Sequence, residues 1–381
     1  MQKLRFGTVL SLTGRYSVQA KESHQGLNLW VKNVNKAGGI SIKSQGRRKF
    51  GAELRCYDDE SSAEKCRKFM EKLILDDDVD ILIGPYSSGH TLAVAPLAEK
   101  YKRILWNHGG SSDEIFGKGF TYIVSAITPA SGYLPGIIDM ARELDKEASS
   151  IAIFQAEESG FSANVTEGAK KYGEERNFQI RILKYKSAVD ELPDLLNDLK
   201  KQIPDVILGA GRAEDDILLA RLIVEQRIKP KAVGVIAAGI NTFRESLGKN
   251  ADGFLGPSQW EPGIRIKPDF GPTPYDFFIQ FKDTYGYEPS YPAAQGYNIG
   301  LIVQKCLEES EALNYKALRE TAHKIELKTF YGNFKLDPAT GNQIGHSMVT
   351  VQWQKGRKLI VHPKEMAEAQ PLYPDPKFKG Q

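Results

Sequence analysis

The sequence predicts a doubly wound α/β protein built as two parallel-sheet lobes. Three observations carry that prediction. Short, almost wholly apolar runs alternate with segments of helical periodicity over the first two-thirds of the chain, which is the pattern of parallel strands covered on both faces. The alternation comes in two rounds, one ending near Val124 and the other near Gly253, each of about four strand–helix units. At 381 residues and roughly 100–200 residues per domain, the chain is long enough for two or three domains.

Taken in order, the strand candidates are 4–12, 53–57, 79–83, 104–106, 151–154, 180–184, 206–208 and 233–236. Helical patterns lie between them at 25–35, 63–75, 91–101, 133–144, 164–173 and 217–226. The first of these puts Leu27, Trp30, Val31 and Val34 on one helical face. Residues 257–292 change character, with prolines at 257, 262, 268, 272, 274, 289 and 292. Helical patterns at 293–309 and 315–324 follow. The end of the chain reads as antiparallel: 332–336, a turn over 337–341, then 346–354, with Lys355-Gly356 turning that strand back into 359–362.

Composition excludes several classes. Lys and Arg outnumber Asp and Glu by 51 − 48 = 3, so no strong field draws the chain to nucleic acid or to an acidic membrane. No stretch approaches the roughly 18 apolar residues that span a bilayer. The first residues enter a strand-like run without the charged head and apolar core of a signal peptide. That leaves a cytosolic protein or a mature exported one. Three cysteines form no disulfide framework, although Cys56 and Cys66 could pair and leave Cys306 free.

Enzyme signatures are sparse. Ser87-Ser88-Gly89 has the wrong spacing for a nucleophile elbow. Gly209-Ala210-Gly211 follows a strand and opens a helix, but the third glycine of the dinucleotide pattern is missing. The histidines at 24, 90, 108, 323, 346 and 362 show no paired metal-ligand spacing, nor do Cys56 and Cys66; no cofactor is expected. A Ser87–His108 pair is the one nucleophile–base candidate.

What stands out is small, polar and placed at strand ends, where open α/β sheets bind ligands and helix N-termini offer N–H groups to anions. The segments are Ser11-Leu12-Thr13-Gly14, Tyr86-Ser87-Ser88-Gly89, Asn107-His108-Gly109-Gly110-Ser111-Ser112 and Gly209-Ala210-Gly211-Arg212. The serine pairs precede helical segments and read either as N-caps or, with glycines that let backbone approach, as a carboxylate site.

At this point the sequence resembles the type I periplasmic solute-binding proteins of ABC importers, in the leucine/isoleucine/valine-binding class. The resemblance covers essentially the whole chain. It rests on 7–14 with Gln25-Gly26-Leu27 and Val34-Asn35-Lys36-Ala37-Gly38-Gly39-Ile40, on Tyr57-Asp58-Asp59-Glu60-Ser61, on Ile83-Gly84-Pro85-Tyr86-Ser87-Ser88-Gly89, and on Gly256-Pro257-Ser258-Gln259-Trp260-Glu261-Pro262. It implies a Venus-flytrap of two lobes joined by three crossovers and closing on a solute. Lobe 1 would be 1–125 plus 255–335, and lobe 2 would be 126–254 plus 336–381.

By position, the resemblance implies that Ser87 and the segment Gly109, Gly110 and Ser111 grip a ligand carboxylate, with hydroxyls from Ser87 and Ser111 and backbone N–H groups beside them. Ser88, Asn107 and His108 accompany them. Gln19 falls where the branched-chain binder places an aromatic wall, and Phe161 and Gly211 or Arg212 fall near lobe 2's contact positions. Amino-acid binders hold the ammonium with an acidic residue of lobe 2. The matching stretch here, Ile236-Ala237-Ala238-Gly239-Ile240-Asn241, has no carboxylate, and a buried ammonium without a counter-charge is costly. Glu157, Glu158, Asp215 or Glu261 could substitute.

Several residues keep two readings. Arg212 either meets a second ligand acceptor or pairs with Asp215 or Asp216 along its helix. His108 either bonds a ligand or holds its loop. Trp260 faces the cleft or packs the proline-rich segment, and Tyr16 is a rim aromatic or solvent-exposed. Trp106 reads as core. The expected function is an extracytoplasmic, non-enzymatic solute-binding protein, acting as a monomer with a membrane permease and taking an amino acid or an aromatic or organic acid. A ligand-sensing regulator on the same fold and a cleft hydrolase are the alternatives.

Overall fold

The computed structural model describes residues 1–157 and 159–375. Two compact units form, Met1–Pro129 with Ile266–Ser347 and Ala130–Arg265 with Met348–Gln381, so the chain passes between units three times.

Unit 1 opens with β1 (Lys3–Leu10), α1 (Ser17–Lys36), β2 (Ile40–Ile42), β3 (Arg48–Asp58), α2 (Ala63–Leu75), β4 (Ile81–Ile83), α3 (Ser88–Tyr101), β5 (Leu105–Asn107), α4 (Glu114–Gly117) and β6 (Ile123–Ser125). The sheet order is β2-β3-β1-β4-β5-β6. All neighbours are parallel except the β2 edge strand. Unit 2 repeats the plan with α5 (Pro135–Leu144), β7 (Ser150–Ala156), α6 (Gly160–Glu174), β8 (Gln179–Tyr185), α7 (Ala188–Leu199), β9 (Val206–Ala210), α8 (Ala213–Glu225), β10 (Ala232–Val235), α9 (Asn241–Leu247) and β11 (Leu255–Ser258).

The chain then returns to unit 1 as α10 (Pro274–Tyr285), α11 (Tyr291–Glu309), α12 (Tyr315–Lys324), β12 (Leu327–Lys328) and β13 (Asn333–Phe334), and closes in unit 2 with β14 (Val349–Gln354) and β15 (Arg357–His362). The second sheet runs β15-β14-β11-β10-β9-β7-β8, parallel up to β11 and antiparallel beyond it. In both units the parallel strands place the first-formed strand beside the second and third. The strand order therefore reverses between β1 and β4 and between β7 and β9, the points where open α/β sheets receive ligands.

Both faces of each sheet are covered, as near-continuous apolar strands require. In unit 1, Met70, Leu73, Val94 and Leu97 of α2 and α3 pack on Val9, Leu82 and Leu105. On the other face Trp30 of α1 meets Phe6 edge-on at 5.1 Å. In unit 2, Leu192, Leu196, Leu219 and Phe243 cover one face and Ile137, Ile138, Val165 and Ala169 the other.

Three expectations need correcting. The return to unit 1 was expected at residue 255, but Leu255–Ser258 pairs with β10 and β14 inside the second sheet, which moves the boundary past Arg265. The last crossing was expected after 335, yet residues up to Ser347 stay with unit 1. There His346 bonds Thr128 at 2.6 Å and stacks on Tyr331 at 4.5 Å, and β13 pairs with β12 rather than with the strand that follows. The proline-rich stretch also hides α10: Pro274 is its first residue, where a missing N–H costs nothing. Thr273 caps it by accepting from Asp276 N at 3.1 Å, and the Asp276 carboxylate accepts from Thr273 N at 3.3 Å.

Helices α1 and α11 touch backbone to backbone. A Cβ on Gly26 would stand 1.9 Å from Ala293 O, and one on Gly296 would stand 2.0 Å from Ser23 O. Gly26→Ala is expected to force the helices apart at a cost of about 3 kcal/mol, lowering Tm by roughly 6–12 °C. A thermal melt by circular dichroism checks this, and an unchanged Tm contradicts the close approach.

Candidate functional site

The carboxyl ends of β4 and β5 in unit 1 carry two polar loops that hold each other. Ser87 caps α3 with φ 93° and ψ 145°, its Oγ accepting from His90 N at 3.3 Å. That backbone region is essentially reserved for glycine and costs a serine about 1–3 kcal/mol. It is held by neighbours: Ser87 N donates to Gly109 O at 3.2 Å, Tyr86 bridges Gly109 in parallel, and Thr91 donates from both N and Oγ1 to Ser87 O.

The loop after β5 is folded around Asn107, which is wholly buried. Its Nδ2 donates to Gly110 O at 2.7 Å and to Ser125 Oγ at 3.3 Å, and its Oδ1 accepts from Gly110 N at 2.8 Å. Ser88 Oγ accepts from Ser111 N at 3.1 Å and Ser112 N at 3.0 Å. Gly109 and Gly110 are required by contact, since added Cβ atoms would lie 2.8 Å from Tyr86 Cα and 2.3 Å from Thr91 Oγ1.

This geometry revises the sequence reading in two ways. Asn107 and Ser88 are loop-builders whose polar atoms are already engaged, and the Ser111 N–H offered in the sequence reading to a carboxylate is taken by Ser88. Ser111 and Ser112 do not cap the short α4 either: Asp113 stands at its N-cap without a side-chain bond. Among the described residues, the groups left open in these loops are the hydroxyl proton of Ser87, the Ser111 hydroxyl, and the first N–H groups of α3, at Ser88 and Gly89, which have no acceptor within the helix.

His108 is fully buried, its Nε2 2.5 Å from Ser23 Oγ on α1. Burial pushes its pKa down to about 4, so the ring is neutral. It holds the loop against α1, the second of its two readings, and it is not joined to Ser87. Trp106 is core, as expected. Gln19 lies half-buried on the first turn of α1. Tyr16, also half-buried, sets its ring edge-on to His90 at 5.4 Å.

In unit 2, Phe161 sits on the first turn of α6, half-buried against Tyr133 at 5.3 Å. Arg212 precedes α8 and is exposed. Its guanidinium makes no ion pair among the described residues, but Asp215 stays beside it, the carboxylate accepting from Arg212 N at 3.4 Å. Asp216 instead points inward, accepting from Gly211 N at 2.9 Å and Ala237 N at 3.0 Å. Its burial raises the pKa to about 7 against the pull of those N–H groups.

Ala238 is buried and gives its carbonyl to Trp353 Nε1 at 2.9 Å. Trp260 is fully buried. Glu261 is buried beside Lys358 at 2.8 Å. Burial raises its pKa while that ammonium opposes the shift. Asp215 accepts from Tyr185 Oη at 3.4 Å, Glu157 is exposed, and Glu158 lies outside the described residues. Sequence reasoning offered Asp216 only as an ion-pair partner of Arg212 and missed its inward role, because an acid in a helix's first turn ordinarily faces water; the signal was Gly211 before it, whose N–H needs an acceptor.

The model of the "periplasmic binding protein" family matches residues 3–358. A curated relative, Leu/Ile/Val-binding protein homolog 7 of Brucella suis biovar 1, is 23% identical over 96% of this chain and 92% of its own length. Among solved structures, the leucine-binding protein LivK from Thermotoga maritima superposes with TM-score 0.81 at 18% identity, covering 94% of this chain and 97% of that one. A solute-binding protein from R. palustris in complex with benzoate gives 0.77 at 16% identity, covering 94% and 95%.

His108 also sets a pH response. Its ring is neutral when folded and has an ordinary pKa of about 6.5 when unfolded, so its stabilising contribution is full above about pH 6.5 and lost as pH falls toward 4. Wild-type protein is expected to lose about 2 kcal/mol from this group between pH 7 and 5. Denaturant unfolding at both pH values should show His108→Gln lacking that part of the loss; an identical loss in the variant contradicts the assignment.

Proposed function

We propose, because the chain belongs to the periplasmic binding protein family, that it is the solute-binding component of an ABC importer and that its solute is a small organic or aromatic acid lacking an α-amino group. It works outside the cytoplasm and delivers its solute to a membrane permease. The observation that carries the ligand class is Ser87. A serine held in a glycine-only backbone conformation at the order-reversal point of a sheet, with its hydroxyl proton and the first N–H groups of α3 uncommitted, is organised for an oxyanion.

The charges at the strand ends of unit 2 favour an acid without an amino group. The carboxylates at its strand ends are engaged, Asp216 by backbone N–H groups, Glu261 by Lys358 and Asp215 by Arg212 N and Tyr185, while the exposed Arg212 guanidinium makes no ion pair among the described residues. Near Arg212 an ammonium is repelled, whereas an anionic oxygen is attracted. Plain amino acids are the second reading, favoured by exposed Glu157 just past β7. Among the described residues the recorded partner of the His108 ring is Ser23, not Ser87.

Ser87→Ala and Ser111→Ala are each expected to weaken acid binding about tenfold to a hundredfold, with Tm of the unliganded protein almost unchanged for Ser111→Ala. Isothermal titration of each variant checks this, and unaltered affinity in both removes the carboxylate site. Arg212→Ala is expected to weaken diacids and hydroxylated benzoates more than benzoate itself. Equal losses across the three would show that Arg212 does not read a second oxygen.

A further inference from the structure

We infer that unit 1 holds a binding site for one thiophilic divalent cation of the zinc class, formed by Asp59, Cys66 and His90. The three residues come from separate elements: Asp59 follows β3, Cys66 lies in the first turns of α2, and His90 in the first turn of α3. Their ligand atoms all lie within 4.8 Å of one another. Asp59 and Cys66 are 0% exposed and His90 is 3% exposed. Carboxylate oxygen, thiolate and imidazole nitrogen are the donor set of zinc sites, and two negative donors balance a doubly charged ion in a dry environment.

The geometry carries the inference beyond proximity. His90 Nδ1 and Asp59 Oδ2 face each other at 3.3 Å as a carboxylate–imidazole contact, and neither atom makes a well-aligned hydrogen bond among the described residues. Zinc bonds of about 2.0–2.1 Å in a tetrahedron put neighbouring ligand atoms about 3.3 Å apart. The two atoms therefore sit at the spacing of ligands on one ion, without the alignment of a hydrogen bond. The other carboxylate oxygen, Asp59 Oδ1, accepts from Ser11 Oγ at 2.6 Å and Ser61 N at 2.8 Å. Those bonds fix the carboxylate and aim Oδ2 inward, as outer partners do at metal centres. Binding displaces the Cys66 thiol proton to solvent, and the fourth position is left to water.

The residues are scattered along the chain and lack the paired spacing by which zinc sites are read from sequence, so no sequence pattern marks them. The site is distinct from the carboxylate position, although His90 N meets Ser87 Oγ, so a bound cation would brace the start of α3.

The test is a cobalt titration of the full chain after chelator treatment, read by absorption. One equivalent of Co2+ should produce a thiolate-to-cobalt charge-transfer band that Zn2+ abolishes. The band should be lost in Cys66→Ala and kept in Cys56→Ser and Cys306→Ser. No band in the wild-type protein overturns the proposal and makes the cluster a buried polar triad. A band that survives Cys66→Ala overturns it equally, placing the thiolate ligand elsewhere. The wild-type titration decides the first point even if Cys66→Ala folds poorly.

Discussion

The side chain of Asn107 holds the polar end of unit 1 in shape, and most of what the site offers depends on it. Its amide group closes the loop after β5 on Gly110 from both sides. That brings Gly109 against Tyr86, and the Gly109 carbonyl then receives the Ser87 N–H. Only with that carbonyl in place is the unfavourable Ser87 backbone held. Each of these buried groups would cost about 1–3 kcal/mol if left without its partner, so the loops form together or not at all. Ser88 completes the lock by gathering the N–H groups of Ser111 and Ser112.

Topology explains why this elaborate end is where it is. In each unit the strand order turns at the first strand, so that the helices following the flanking strands leave on opposite faces and open a crevice at the carboxyl edge. In unit 1 the crevice is flanked by Ser11–Tyr16 and Gly84–Ser87; in unit 2 it is flanked by the segment after β7 and by Gly211-Arg212. The two units share this plan but not their electrostatics. Unit 1 offers hydroxyls and helix N–H groups, while unit 2 offers a guanidinium and buries its Asp216 carboxylate under its own backbone.

Much of the fold was legible because burial on both faces leaves strands with little but apolar residues, as in Ile81–Ile83 and Val206–Ala210. What was not legible had specific causes. Leu255–Ser258 contains glycine and proline and reads as a turn, yet it pairs as a strand because β14 returns from the far end of the chain to cover it. The start of α10 reads as a break until Pro274 is seen as a first helical residue. At the site, residue types located the loops, but not which polar atoms would be used internally. Ser88 and Ser87 are indistinguishable in sequence, and only the fold shows one as a brace and the other with its hydroxyl open. The grouping of Asp59, Cys66 and His90 depends on three helix and strand ends meeting, which no spacing rule records.

The proposed solute is a carboxylate without an amino group. Thermal unfolding of the ligand-stripped protein against benzoates, phenylpropanoid acids, aliphatic mono- and diacids and a matched set of amino acids tests it most directly. A ligand at 100 times its Kd adds about 2.7 kcal/mol of stability, a shift that is readily seen. Tm is expected to rise with members of the acid set and not with the amino acids; a rise with amino acids alone would overturn the assignment of an acid without an amino group.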